Sequence, residues 1–217
     1  MSLARVVSVN LGATRPMVAR NGVSGIDKRP VTGLVEVGVP SPGSSGLAGD
    51  AIGDPVDHGG LDRAVSAYAR EDLDAWQAEL GVPLASGVYG ENLTTAGLDV
   101  TDAEIGERWR VGASLVLEVS APRLPCRTFA AWIDRPGWVR TFTERGMPGA
   151  YLRVVSPGAV CSGDTVEVVA RPGHGVTVGV AFRAITTSPD LLPLLADVHA
   201  LAEDIRATVA RRLAVRR

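Results

Sequence analysis

Cys126 has the most reactive surroundings in the sequence. It follows two prolines, Pro122 and Pro125, and lies between two arginines, Arg123 and Arg127. The prolines restrict the backbone and predict an extended loop that presents the thiol. Nearby guanidinium groups favour the thiolate and so lower the pKa of the thiol. These residue types predict a reactive or metal-binding thiolate, with a buried structural cysteine as the alternative.

A second segment combines groups that bind anions. His58 is followed by Gly59 and Gly60, and Asp62 and Arg63 come directly after Leu61. An imidazole, flexible backbone N–H groups and a guanidinium within six residues are the components of an anion cradle. The alternative is a tight turn in which His58 bonds only a backbone carbonyl.

A third segment, residues 90–95, supplies donors and acceptors for a polar heterocycle. Gly90 is followed by the carboxylate of Glu91 and the carboxamide of Asn92, and then by the hydroxyls of Thr94 and Thr95. A turn needs only the glycine and the asparagine, so this segment taken alone indicates little.

Several common classes of site have no support. Cys161 lies in a turn without a flanking base and is interpreted as structural; a disulfide to Cys126 does not suit a reducing compartment. With three histidines and no Cys-x-x-Cys, a zinc site lacks ligands. No Walker A motif, dinucleotide-binding glycine motif or Gly-x-Ser-x-Gly elbow occurs. A hydrolase that pairs Cys126 with His58 stays open.

Composition predicts a soluble globular protein without nucleic-acid or membrane partners. The 217 residues are 46% hydrophobic and 21% charged, with a formal net charge of −2, so no charge excess favours anionic partners. No apolar window reaches the roughly 18 to 20 residues of a spanning helix. The N-terminus lacks a leader-like pattern, and we expect a cytoplasmic location. Lys28 is the only lysine beside 21 arginines, which we attribute mainly to codon bias.

The spacing of turn residues predicts a mainly β fold. The 25 glycines and 14 prolines separate short β-branched runs, at residues 6–10, 31–37, 115–120, 151–155 and 165–169. Residues 70–80 predict one inserted amphipathic helix, with Leu73, Trp76 and Leu80 on one face.

The pattern changes near residue 171 and predicts a C-terminal helical extension. Ser188 and Pro189 resemble a helix start, and a helix over 201–213 would place Leu201, Ile205, Val209 and Leu213 on one stripe. That stripe would pack within the chain or against a second subunit, giving a monomer or a homodimer. We therefore predict two parts, residues 1–170 and residues 171–217.

Taken together and in this order, the segments resemble the MOSC domain family, which is named for the C-terminal domain of molybdenum cofactor sulfurases. The similarity is closest to stand-alone bacterial members. It departs from them at Glu107, where aspartate is common, and after Tyr68. The matching segments are residues 6–10, 49–50, 57–60, 90–95, 105–112, 122–126, 148–153 and 163–164.

The resemblance implies a β-barrel that binds the molybdenum cofactor, with Cys126 as the protein ligand to molybdenum; the family is also described with pyridoxal phosphate binding. It implies an oxidoreductase that removes oxygen from N-hydroxylated or N-oxide compounds such as hydroxylaminopurines, using a separate electron-donor protein. His58 or Glu91 would deliver a proton. Alternatives are a cofactor carrier without turnover, sulfur transfer through a Cys126 persulfide, and a pure interaction barrel. The remaining cofactor-binding candidates are Gly59, Gly60, Arg63, Gly90, Asn92, Thr94, Thr95 and Arg123.

Overall fold

Residues 3–41, 43–54 and 59–215 are described by the computed structural model, and they form twelve strands and five α-helices. The strands are β1 (Arg5–Gly12), β2 (Arg15–Pro16), β3 (Val23–Ser24), β4 (Lys28–Pro30), β5 (Val35–Val37), β6 (Val65–Ala69), β7 (Leu93–Ala96), β8 (Arg108–Val111), β9 (Leu115–Pro122), β10 (Ala150–Ser156), β11 (Gly158–Val160) and β12 (Val166–Ala170). The helices are α1 (Arg70–Leu80), α2 (Arg127–Ile133), α3 (Trp138–Arg145), α4 (Val178–Ile185) and α5 (Glu203–Val215), and 3₁₀ turns cover Leu61–Arg63 and Pro189–Leu195.

Eight strands form one sheet in the order β12-β8-β9-β10-β6-β7-β1-β4. Neighbouring strands are antiparallel except for the parallel pair β6 and β7. The predicted closed barrel is not found in the described part of the chain. The sheet curls until β1 reaches the start of β12, but the contact is one bridge, Arg5 to Thr165, with a few flanking backbone hydrogen bonds. The chain turns at Gly163 (φ 96°) just before this bridge, so no continuous ladder forms.

The prediction of a mainly β fold is only partly confirmed, because strand and helix make up similar shares of the chain, about 28% and 27%. Helix α1 has the predicted bounds and ends at Gly81, which adopts the left-handed conformation. Helices α2 and α3 were not predicted. Gly137 and Gly146, two of the glycines that we expected to separate strands, instead flank α3 at its two ends.

Of the predicted strand over 31–37, only Val35–Val37 forms a strand, β5. Gly33 has a φ of 89°, a left-handed conformation that interrupts an extended run. The other four predicted strands lie within or overlap β1, β9, β10 and β12, with bounds that differ by at most two residues at an end.

Helices α1, α2 and α3 are joined through a cluster of buried rings, which we call the aromatic cluster. Its ring centroids lie 5.0 to 6.3 Å apart, mostly edge to face. The Trp76 indole donates to the Tyr68 hydroxyl (3.1 Å), which donates to the Met147 carbonyl (2.6 Å). The cluster comprises Tyr68, Trp76, Tyr89, Phe129, Trp138 and Phe142.

The C-terminal helices pack on the sheet. Leu201, Ile205 and Val209 are buried in the same apolar core as the central strands, and Leu213 is partly buried against it. The predicted stripe therefore packs within the chain, while the division at residue 170 stays a prediction. In the part of the chain that the structure describes, none of the helices is both long enough and apolar enough to cross a bilayer.

Asp72 lies in the first turn of α1, with part of its carboxylate shielded from water. Desolvation by burial is the larger cause that raises the pKa of Asp72 to about 6, and repulsion from Asp99 adds to it. A weak hydrogen bond from the Thr101 hydroxyl (3.4 Å) acts in the opposite direction and lowers the pKa. The unfolded chain releases this proton at lower pH than the folded chain does. The free energy of unfolding therefore falls as pH rises from about 4 through about 6.

We expect the variant Asp72→Asn to be more stable than the parent at pH 7.5, by about 1 kcal/mol once partial exposure is allowed for. The advantage should be much smaller near pH 4, where the folded carboxyl is protonated and the unfolded one, with an ordinary pKa of 3.8, is only partly ionised. Urea unfolding at the two pH values measures this, with Asp74→Asn, an exposed carboxylate of the same helix, as control. A variant that matches the parent at both pH values would contradict the prediction.

Candidate functional site

A small open cavity of about 80 Å³ lies where the hairpin β2–β3, the loop before β7 and the segment after β9 meet. The polar and charged residues along its wall are Ser24, Lys28, Ser45, Asp50, Asp54, Arg63, Ser66, Asn92, Arg123, Cys126 and Thr128.

Five of the residues selected from the sequence line this cavity: Arg63, Gly90, Asn92, Arg123 and Cys126. They come from three separate segments of the chain. Gly59 is buried and Gly60 is exposed, with a φ of 90° at the start of the 3₁₀ turn, and neither lines the cavity. His58 lies outside the described residues.

Cys126 is half-buried at the N-cap position of α2. Its extended backbone (φ −121°, ψ 171°) precedes the first helical residue, and its sulfur accepts a hydrogen bond from the backbone N–H of Phe129 (3.4 Å). The Cys126 side chain is therefore fixed at the start of α2 by a helix-capping contact.

Arg123 is a buried cation at the cavity wall. Only 7% of the residue is exposed, and its guanidinium carbon lies 4.0 Å from the centre of the Phe129 ring. Nη1 is buried and contacts no acceptor within the described residues. An unpaired buried donor is costly, so this nitrogen would gain from an acceptor supplied by a ligand.

Sequence reasoning did not select Lys28 and Asp50, which form a buried ion pair in the wall. Asp50 Oδ1 also accepts from the backbone N–H of Gly12 (2.8 Å), and Oδ2 accepts from the Asn92 carboxamide (2.9 Å). Asn92 Oδ1 in turn accepts from the Ser66 backbone N–H (3.1 Å). Asn92 therefore holds the wall together with both ends of its amide. The signal for this pair was present in the sequence, since Lys28 is the only lysine.

Residues 54–167 match the MOSC domain family. This stretch includes Arg63, Gly90, Asn92, Arg123 and Cys126. The chain belongs to the MOSC domain family.

Relatives of this MOSC protein include two curated proteins and a solved structure. YflK of Bacillus subtilis, an uncharacterized protein, is 34% identical over 180 residues, which cover 82% of this chain and 79% of YflK. A protein named Reductase from Gibberella moniliformis is 33% identical over 144 residues, which cover 64% of this chain but only 26% of that protein. The crystal structure of YiiM from Geobacillus stearothermophilus superposes with a TM-score of 0.79 at 27% identity, covering 97% of this chain and 99% of that one.

Glu91, unlike its neighbour Gly90, points away from the cavity of this MOSC domain. Its carboxylate accepts hydrogen bonds from the N–H groups of Gly87 (2.6 Å) and Tyr89 (3.1 Å) and from the Thr94 hydroxyl (2.8 Å). Complete burial raises the pKa of Glu91 in spite of these bonds. A direct contact with a ligand in the cavity would require this loop to rearrange.

Thr94 and Thr95 are buried on β7 and do not line the cavity either. The Thr94 hydroxyl links Glu91 to the Asn10 carboxamide (3.0 Å), and the Thr95 hydroxyl has no hydrogen-bond partner within the described part. Both threonines thus lie in the supporting structure behind the wall.

Metal-binding groups of three or more His, Cys, Asp or Glu side chains are absent from the described residues. Neither cysteine forms a disulfide in the described part of the chain. Desolvation and the nearby Asp164 carboxylate raise the pKa of Cys161, whose sulfur lies 3.5 Å from Asp164 Oδ1. Cys161 does not line the cavity, so Cys126 is the thiol available there.

We expect Glu91→Gln to destabilise the fold by about 1 to 3 kcal/mol, the usual cost of an unsatisfied buried polar group. Both carboxylate oxygens accept backbone N–H groups, and the variant would place an NH₂ group against one of them. Thermal unfolding measures the loss, with Glu144→Gln on the surface of α3 as control. Full parent stability in Glu91→Gln would show that the carboxylate does not organise the loop.

Proposed function

We propose that this protein is a molybdenum-cofactor-dependent oxidoreductase that removes the oxygen of N-hydroxylated or N-oxide compounds, such as hydroxylaminopurines. Membership of the MOSC family, which is associated with molybdenum cofactor binding, and a relative named Reductase support this class. The observation that carries the proposal is the meeting of a buried, unpaired Arg123 nitrogen and the Cys126 thiol at one cavity.

The residues present fit an anionic, sulfur-rich cofactor. A guanidinium binds phosphate oxygens in a forked geometry, and Arg123 has an unpaired nitrogen that would accept such a partner. A thiolate is a soft ligand that suits a metal already held by sulfur. In this proposal one protein ligand, Cys126, would suffice.

Gly90 keeps the cavity open beside Arg123. It has a φ of 79°, and an added Cβ atom would lie 2.9 Å from Ile26 Cγ1 and 3.7 Å from Arg123 Nη2. A side chain here would be strained and would clash with Ile26, while its contact with the arginine would be an ordinary one. The glycine therefore lets the backbone lie close to Ile26 at the cavity wall.

The protein's contribution to catalysis would be binding and orientation. The cofactor, when bound, supplies the two-electron redox chemistry. Reduction of an N–OH group to N–H consumes two electrons and two protons and releases water. In this proposal the electrons come from a separate donor protein, Cys126 and Arg123 hold the cofactor, and His58 is the candidate proton donor.

We expect Cys126→Ala, produced in a host that makes the cofactor, to lose most of its molybdenum, because the variant lacks the protein ligand. Metal analysis of purified protein measures the molybdenum per chain. Cys161→Ser, which removes the other thiol, should keep the parent content. Equal molybdenum in the parent and in Cys126→Ala would overturn the ligand assignment.

We expect the molybdenum-loaded parent to reduce a hydroxylaminopurine to the aminopurine when a chemical electron donor is supplied, and Cys126→Ala to be inactive. Chromatography of substrate and product measures the conversion. Stoichiometric molybdenum without conversion under any donor would contradict the reductase and favour a cofactor carrier.

A further inference from the structure

We infer that Asp204, at the start of the C-terminal helix α5, is a positioning residue for the cavity, because it orients the Arg63 guanidinium in the cavity wall. The inference rests on the proposed function in one respect, since it takes the ligand of the cavity to carry a phosphate or a similar anion. It assigns the C-terminal extension a part in ligand binding.

The Arg63 guanidinium is fixed by a hydrogen bond at one nitrogen and by an aromatic ring against one face of its plane. Its Nη2 donates to Asp204 Oδ2 (2.6 Å), and its guanidinium carbon lies 5.6 Å from the centre of the Tyr151 ring. Only 14% of the Arg63 side chain is exposed. A guanidinium has five N–H donors in a rigid fork, and among the described residues Asp204 engages one nitrogen, so the others can donate to an anion in the cavity.

The backbone next to Arg63 is tied to the same helix. Asp62 Oδ2 accepts from the backbone N–H of Glu203 (3.0 Å), the first residue of α5. Asp62 Oδ1 accepts from two nitrogens of Arg153 on β10 (3.0 and 2.7 Å). The 3₁₀ turn that carries Arg63 is therefore fixed between α5 and the sheet, and its side chain is fixed by Asp204.

Asp204 should affect ligand binding more by orienting Arg63 than by neutralising its charge. Its side chain is 60% exposed, so water screens its charge and it offsets the charge of Arg63 only weakly. Its hydrogen bond still selects one conformation of a long side chain before the ligand arrives. Preorganisation of this kind strengthens binding by removing an entropic cost.

The test measures binding of inorganic pyrophosphate to the full chain by titration calorimetry. We expect Asp204→Asn to bind about three- to tenfold more weakly than the parent, a coupling in the usual range for contacting residues. Asp204→Glu, which keeps the carboxylate, should recover much of the affinity. Arg63→Gln should bind weakly, and adding Asp204→Asn to it should cause no further loss.

The matched control is Asp197→Asn, since Asp197 is an exposed acid of the same extension that does not line the cavity. It changes the net charge as Asp204→Asn does and should bind like the parent. Thermal unfolding of every variant separates a loss of affinity from a loss of fold.

Three outcomes would overturn the inference. In the first, Asp204→Asn binds pyrophosphate as tightly as the parent or more tightly; in the second, Asp204→Asn weakens binding as much in the Arg63→Gln variant as in the parent. In the third, the parent does not bind pyrophosphate, which would also rule out an anion site in the cavity. The proposed function is decided separately, by the molybdenum content and by the reduction assay, so the two failures are distinguishable.

Discussion

The buried carboxylate of Asp50 joins the segments that enclose the cavity. Through its two oxygens it engages the end of β1 at Gly12, the start of β4 at Lys28 and the loop before β7 at Asn92. A buried ion pair recovers its desolvation cost only when further hydrogen bonds satisfy its remaining atoms, and here the Gly12 and Asn92 donors do so. The wall is therefore fixed by the protein itself before any ligand enters.

Another part of the cavity wall depends on Phe129 in a similar way. Its backbone N–H bonds the Cys126 sulfur, and its ring supports the Arg123 guanidinium. The ring also packs against Tyr89, Trp138 and Phe142 in the aromatic cluster. One residue thus positions both the thiol and the cation that we assign to cofactor binding. Because the aromatic cluster holds Phe129 in place, it also fixes the positions of these two groups.

The sequence predicted helix α1 well because its apolar spacing and its terminal glycine point to the same structure. It predicted α2 and α3 poorly because Gly137 and Gly146 act at helix ends, where a glycine looks the same as one in a loop. Barrel closure depends on how far a curled sheet reaches, which no local pattern encodes.

Cys126 and Arg123 were found because unusual chemistry is concentrated there. The orientation of Glu91 away from the cavity was missed, because only the three-dimensional loop shows which donors its carboxylate satisfies.

The two arginines of the cavity are supported in different ways, and this difference bears on how the site is built. Arg123 lies on an aromatic face, and its Nη1 has no acceptor in the described residues, so its contacts within the chain leave part of its fork unsatisfied. Arg63 already has a carboxylate partner, supplied from a distant part of the sequence. A ligand that bridges them would compensate a buried charge at one end and meet a preoriented donor at the other. Arg123 would strengthen binding by gaining a partner for its buried nitrogen and Arg63 by being oriented in advance, which links the C-terminal helix to the sheet as one binding unit.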